Sequence, residues 1–282
     1  MTENDLHFRI FDRQITVSCE DEQLAQLVLA NYAAFRTPAA PPDLGYRIGR
    51  NPSGGFYIDD DDERPIDTDN DDDIRYLVVY GLEKLLTVAL QTLRTDLYFV
   101  HAAVLERDGR SIMIAAESGT GKSTTSWALL QHGFDYLSDE LAPVDPDSLK
   151  VHPYPHALCL KATPPGPYAL PAGIATTERT LHVPTALLPA QVVQQPSGLQ
   201  ALIFLQRDAT ASVPTFSEVT PAEASARLYA NTLNALAHPG HGLDTAIRIA
   251  SAVPAYNVHA GELQATCELI SELVDRLQRA AC

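Results

Sequence analysis

The eight residues Ala116-Glu117-Ser118-Gly119-Thr120-Gly121-Lys122-Ser123 constrain this chain more than any other stretch. The run before them, SIMIAA (111–116), is apolar or small at nearly every position, as in a strand covered on both faces. Residues 124–131 after them read as a helix, with Gly133 placed to cap its end. A strand that turns through close-spaced glycines and Gly-Lys-Ser into a helix fits the phosphate-loop template G-x-x-x-x-G-K-[ST], with Ala116 in the first glycine's place. Gly119 and Gly121 let the backbone approach an anion. The amides of 119–123 and the helix N-terminus supply the matching partial positive charge. Ser118, Gly119, Thr120, Gly121, Lys122, Ser123 and Thr124 are therefore expected to bind a nucleoside triphosphate, with ATP the expected nucleotide. Lys122 would reach the β- and γ-phosphates, and the Ser123 hydroxyl would join the shell of Mg²⁺. The alternative, a turn that only connects strand to helix, does not account for the lysine and serine.

Two further positions fall in with the loop. Asp139 lies sixteen residues past Ser123, at the end of the short apolar run 134–137, with Glu140 next to it. In a parallel α/β layout such a strand end shares an edge with the loop. A carboxylate there can hold Mg²⁺, accept the proton of an attacking hydroxyl, or only cap a turn; Glu140 is a second candidate ligand. His101 sits within LYFVHAAVL (97–105), expected as a strand that returns through Asp108-Gly109 to the loop strand. A lone histidine in a strand is ordinarily a core residue. Beside the loop strand it could instead orient or charge Asp139. The histidines of HPYPH (152–156) and HPGH (238–241) lack a complete metal-ligand set.

The rest of the chain gives organisation more than chemistry. Residues 6–17 read as a hairpin turning near Asp12-Arg13, followed by a helix with Ser18 and Asp21 at its start and Leu24, Leu27, Val28 and Phe35 on its apolar side. Short strands follow around 46–48 and 56–58. Residues 59–73 hold ten acids against Arg64, which accounts for more than half of the formal charge of −16. That strip could hold a divalent cation or dock a basic peptide, but a solvated, self-repelling linker is the simpler expectation. A boundary is placed there, giving an α+β accessory unit at 1–73 and a phosphate-loop domain at 74–282. From Ile74 a 3.6-residue period (Ile74, Leu77, Val78, Leu82, Leu85, Leu86, Ala89, Leu93) predicts a long helix. Residues 201–205 read as a buried strand. Thr220-Pro221-Ala222-Glu223 opens a helix to about 237, and a last helix from 262 buries Leu263, Ile270, Leu273, Val274 and Leu277.

The acidity excludes nucleic acid as a partner, because phosphate backbones demand the opposite sign. No apolar run approaches a membrane span. MTENDLHFRI shows neither a basic nor an apolar leader region, and four scattered cysteines form neither a disulfide framework nor a zinc pattern. A cytoplasmic protein is expected.

The segment HAAVLERDGRSIMIAAESGTGKSTTSWALLQHGFDYLSDE resembles the catalytic core of HPr kinase/phosphorylase and its wider group of related proteins. The likeness covers roughly 97–161. It implies an α/β sheet of the HPr kinase/PEP carboxykinase-like type and an ATP- and Mg²⁺-dependent kinase acting on the serine hydroxyl of a peptide or protein. It also leaves room for a homo-oligomer. By this resemblance His101 matches a histidine that assists the base, Lys122 and Ser123 the phosphate and magnesium residues, and Asp139 the carboxylate that deprotonates the acceptor. Thr124 stands where the HPr enzyme itself usually has Glu. The family's L-E-I-R-G signature falls on 157–161, so its metal-binding Glu becomes Cys159 and its Arg becomes Lys161. Related kinases of peptide or polysaccharide biosynthesis clusters lack the same features and are closer. A small-molecule kinase and an inactive nucleotide-responsive module are the alternatives.

Overall fold

In the computed structural model of the chain, which describes residues 4–60, 66–68, 74–207 and 212–280, Phe11 and Asp12 both take positive φ, 47° and 62°. That pair forms the tight turn that the right-handed strand twist favours. It folds Asp5–Ile10 back onto Arg13–Cys19. Asp21 then caps the helix Glu22–Tyr32, its carboxylate accepting from the Leu24 amide at 2.9 Å. The helix carries the chain across to Leu44–Arg50, which pairs parallel with Arg13–Cys19. Phe56–Asp59 and Ile66–Asp67 complete a five-stranded sheet. Most of the acidic strip falls in 61–65 and 69–73, outside the described residues. Ile66–Asp67 within it is sheet rather than solvated linker.

The helix Ile74–Leu93 buries Val78, Val79, Leu82, Leu86 and Leu90. A Cβ on Gly81 would come within 2.6 Å of Ile66 Cδ1 and 3.2 Å of Ile58 Cδ1, so the bare glycine lets the helix lie against the strands. For that reason the helix groups with the first unit, Met1–Leu93, rather than opening the second domain at residue 74 as the sequence suggested. His156–Thr163 and Leu170–Leu187 also belong to this unit. They carry a small sheet, Leu158–Leu160, Leu181–Val183 and Ala175–Thr176, which the proline-rich sequence concealed.

A buried chain of hydrogen bonds ties this small sheet to the helix Glu22–Tyr32. The Asn31 amide donates to Leu27 O at 2.9 Å, so its Oδ1 is the acceptor facing His182 Nδ1 at 2.8 Å. His182 Nδ1 therefore carries the proton, and Nε2 accepts from the Thr180 hydroxyl at 2.7 Å. Cys159 Sγ lies 3.1 Å from the same Nδ1. Burial, helped by nearby His156, lowers the His182 pKa from 6.5 to about 4. A base whose folded pKa is depressed resists protonation in the native state, so its contribution is whole above 6.5 and shrinks as pH falls toward 4. Over that window the wild type should lose about 3 kcal/mol more stability than His182→Gln, at ~1.4 kcal/mol per pKa unit. Urea unfolding at pH values spanning the window measures the difference, and parallel curves for the two proteins would contradict it.

The second unit, Arg94–Pro155, Pro164–Ala169 and Leu188–Cys282, is mixed α/β around one curled sheet with nine strands among the described residues. Its centre is Ser197–Arg207, longer at both ends than the predicted 201–205. Arg110–Ala116 and Ala255–Ala260 run parallel to it on opposite edges. Asp108 and Gly109, at φ 51° and 78°, turn Ala103–Arg107 into Arg110–Ala116. Asp135–Ser138 pairs on the outside of Ala103–Arg107. On the far side, Lys150–Val151, Ala142–Val144 and Tyr98–Val100 continue the sheet. The helices Lys122–Leu130 and Leu263–Ala280 pack on each other, the latter burying Cys267, Ile270, Leu273 and Val274.

The helix opened by Thr220 spans Pro221–Ala230 and stops short of the expected 237. Its continuation is diverted onto Tyr98–Val100. The Leu233 amide donates to Phe99 O at 2.9 Å, and the buried Asn234 side chain accepts from Phe99 N at 2.9 Å and donates to Leu97 O at 2.8 Å. Asn234→Ala would leave the Phe99 amide unpaired, at a cost of about 1–3 kcal/mol, while Leu97 O keeps its bond to His238. A lower urea midpoint with an unchanged denaturant slope is the expected result, and an unshifted midpoint would show these bonds to be incidental.

Candidate active site

Ala116 ends its strand in register with Leu205 of the central strand, so the loop leaves the sheet at the carboxyl edge of the parallel strands. The Thr120 amide donates to Glu117 O at 3.1 Å to make the first turn. Gly119 and Gly121 have φ 87° and 109°, a region that side chains rarely adopt. No atom lies within 4 Å of a Cβ built on either, so the space over the loop is open. Gly121 is also the N-cap of Lys122–Leu130, and no side chain caps that terminus. An uncapped helix start behind two glycines suits an anion. Ser123 and Thr124 are half-buried in the first turn, while Glu117, Ser118 and Gly119 are exposed.

Lys122 points back toward the sheet. Its ammonium donates to the Asp139 backbone carbonyl and lies 3.7 Å from Asp139 Oδ1 and 3.6 Å from Glu140 Oε2. Asp139 is only 2% exposed and Lys122 8%. Burying charge is tolerable when each charge has a partner; removing one partner leaves the other uncompensated. Asp135–Ser138 brings the carboxylates here because it is antiparallel to a strand that is itself antiparallel to the loop strand. It therefore ends at the loop's edge, as the sequence suggested. The Ser138 hydroxyl accepts from Leu141 N at 3.1 Å and turns the chain at Asp139 and Glu140.

His101 departs from expectation in two respects. The run 97–105 is not one strand: Tyr98–Val100 pairs with Ala142–Val144, and Ala103–Arg107 pairs with the loop strand. His101 occupies the break between them, its amide donating to Asn231 O at 2.8 Å. Its ring then meets Glu140, not Asp139, with Nε2 2.7 Å from Glu140 Oε2. His101, Glu140, Lys122 and Asp139 are thus linked in that order. His238, by contrast, is tied to Leu97 O at 3.1 Å and serves the fold. Cys159 and Lys161 belong to the first unit, where Cys159 bonds to His182 as described above.

A nucleotide with Mg²⁺ fits what is present. The loop offers glycines and an uncapped helix start to phosphate. Ser123, Asp139 and Glu140 supply the hard oxygen donors that Mg²⁺ takes alongside phosphate and water. Among the described residues no group of three or more His, Cys, Asp or Glu could hold a metal.

No sequence pattern signals the cavity of about 690 Å³ that opens beside the loop. Ala116, Glu117 and Thr120 form one wall; Arg207, Arg227 and Asn231 stand opposite. These residues are remote from the loop in sequence, and only the sheet order and the fold-back of the chain after Ala230 gather them.

No family model matches this chain, and no curated protein does. Among solved structures, it is similar to the HPr(Ser) kinase/phosphatase from Coxiella burnetii, at 16% identity and a TM-score of 0.33, over 65% of this chain and 92% of that one. At that distance the likeness assigns no activity. Among the described residues no helix is long and apolar enough to cross a membrane.

Lys122→Ala should weaken Mg·ATP binding roughly 10- to 100-fold, the loss of a hydrogen-bonded contact to a charged group. Calorimetric titration measures it, and equal affinities for wild type and variant would remove the loop from the nucleotide site.

Proposed function

We propose that the chain is a Mg·ATP-dependent kinase that phosphorylates a hydroxyl, with serine on a peptide or protein as the acceptor. The observation that carries this is the meeting of Lys122 with a buried Asp139 and a half-buried Glu140 at the mouth of a phosphate-type loop. A connector turn needs none of these charges, and a module that only binds nucleotide needs no buried carboxylate beside the loop lysine. The hydroxyl acceptor follows from the carboxylate; serine on a peptide follows from the resemblance to HPr-kinase-related proteins.

Phosphoryl transfer leaves a protein mainly positioning and electrostatic work. Lys122 neutralises the β- and γ-phosphate oxygens. Ser123, Asp139 and Glu140 are the residues that would hold Mg²⁺, which would supply further positive charge to the transferring phosphoryl group. The acceptor oxygen bonds to the γ-phosphorus as the bond to the β,γ-bridging oxygen breaks, and the hydroxyl proton passes to the Asp139 carboxylate. His101 acts through Glu140, its ring nitrogen holding that carboxylate in place at 2.7 Å.

Incubation with [γ-³²P]ATP and cell extract, followed by phosphoamino-acid analysis, tests this directly. Wild type should label serine, and Asp139→Asn should transfer roughly 10²–10⁴-fold more slowly, the usual span of general acid–base catalysis; Mg·ATP affinity within a few-fold of wild type marks Asp139 as the base, and a parallel loss of affinity marks it as chiefly a metal ligand. Full transfer by Asp139→Asn would refute the mechanism. Label in a small molecule alone would replace the acceptor. Nucleotide binding without any transfer would leave a regulatory module.

A further inference from the structure

Two arginines line the cavity beside the loop, opposite the loop's own Glu117. Arg227, on the helix Pro221–Ala230, is held from three sides. Its Nη1 donates to Asn257 Oδ1 at 2.5 Å, its Nη2 lies 2.6 Å from Glu223 Oε1, and its Cζ sits 5.3 Å from the Phe204 ring centroid. Those contacts use two of five guanidinium protons and lock the plane, leaving three donors in a fixed fork. Arg207, exposed at the end of the central strand, makes no ion pair among the described residues, and it lines the same cavity. Asn231 joins the cavity to the reacting groups. Its side chain donates to Arg227 O at 2.8 Å, and its carbonyl accepts from the His101 amide. The wall with the two arginines therefore ends one backbone hydrogen bond from His101, while the loop closes the other side.

Given the kinase reading, on which this rests, we infer that the cavity holds the acceptor, and that Arg207 and Arg227 select a serine peptide with carboxylates beside its hydroxyl. Its volume of about 690 Å³ lies within the range of clefts that hold small ligands and short peptide segments. With a formal charge of −16, the surface as a whole repels acidic peptides. At the cavity, Arg207, which has no ion pair among the described residues, and the remaining donors of Arg227 face the loop's Glu117 and offset it, and they match carboxylate geometry.

The test uses the full chain saturated with Mg²⁺ and the slowly hydrolysed analogue adenylyl imidodiphosphate. Two peptides are titrated: one with a central serine flanked by aspartates, the other with asparagines in their place. The acidic peptide should bind about tenfold or more tightly than the neutral one, as charge-assisted hydrogen bonds imply. Arg207→Gln, at an exposed position that does not endanger folding, should remove most of that preference. Arg227→Lys, which keeps the charge and loses the fork, should reduce it further. Equal binding of the two peptides, binding of neither, or a preference that survives both substitutions would overturn the proposal. So would loss of analogue affinity in these variants, which would give the cavity to the nucleotide. Failure of wild type to bind the analogue at all would instead remove the kinase reading, and this inference with it.

Discussion

One buried ammonium organises the second unit's functional edge. Lys122 begins a helix, yet it reaches back past the loop to the Asp139 carbonyl and lies between two carboxylates. Without that cation, Asp139 would be a nearly inaccessible carboxylate next to a second one, an arrangement that raises the energy of the ionised pair. Without the carboxylates, a buried lysine would lose its charge or its place. Each thus compensates the charge of the other. In the kinase proposed above, a phosphate at the loop would compete for the ammonium and leave the carboxylates to a divalent ion.

That contact depends on a curled sheet. Three parallel strands set the loop's edge, and two antiparallel pairings return Asp135–Ser138 to the same edge. The break at His101 lets Tyr98–Val100 leave the loop strand's neighbourhood and pair with Ala142–Val144, just past the carboxylates. The same break leaves the His101 ring free to meet Glu140 and its amide free to bind Asn231. Buried Asn234 and Tyr98, with half-buried Thr232, then hold the returning segment, Tyr98 donating to Gly242 O at 3.0 Å and accepting from Thr232 at 2.6 Å.

What could be read from the sequence was local. The loop, its flanking strand and helix, the Asp108-Gly109 turn and the position of Asp139 all follow from residues within a few turns of one another. The helix Ile74–Leu93 was also legible, but not its allegiance, because Gly81 has meaning only once Ile58 and Ile66 are known to lie against it. The neighbourhood of His101 is legible in the sequence, but its partner is Glu140 rather than Asp139, because that partner depends on where a strand breaks. The break is set by pairing with residues some forty positions away. Cys159 was noticed as a substitution in a signature; its bond to His182 and, through it, to Asn31 joins three distant segments. Arg207 and Arg227 left no trace, because a strand end and a helix face carry no motif.

The central claim is that this edge binds a nucleoside triphosphate with its metal, and the chain carries its own reporter. Trp127 is the single tryptophan, 2% exposed in the loop helix, with its Nε1 donating to Tyr168 O at 3.0 Å. Titration of the wild-type protein with ATP, with and without Mg²⁺, followed by calorimetry, ³¹P resonance and Trp127 emission, is the most direct measurement. One-to-one binding that requires Mg²⁺ for full affinity, shifts the β- and γ-phosphorus signals and changes the emission is the predicted result. Absence of heat and of any phosphorus shift would contradict it.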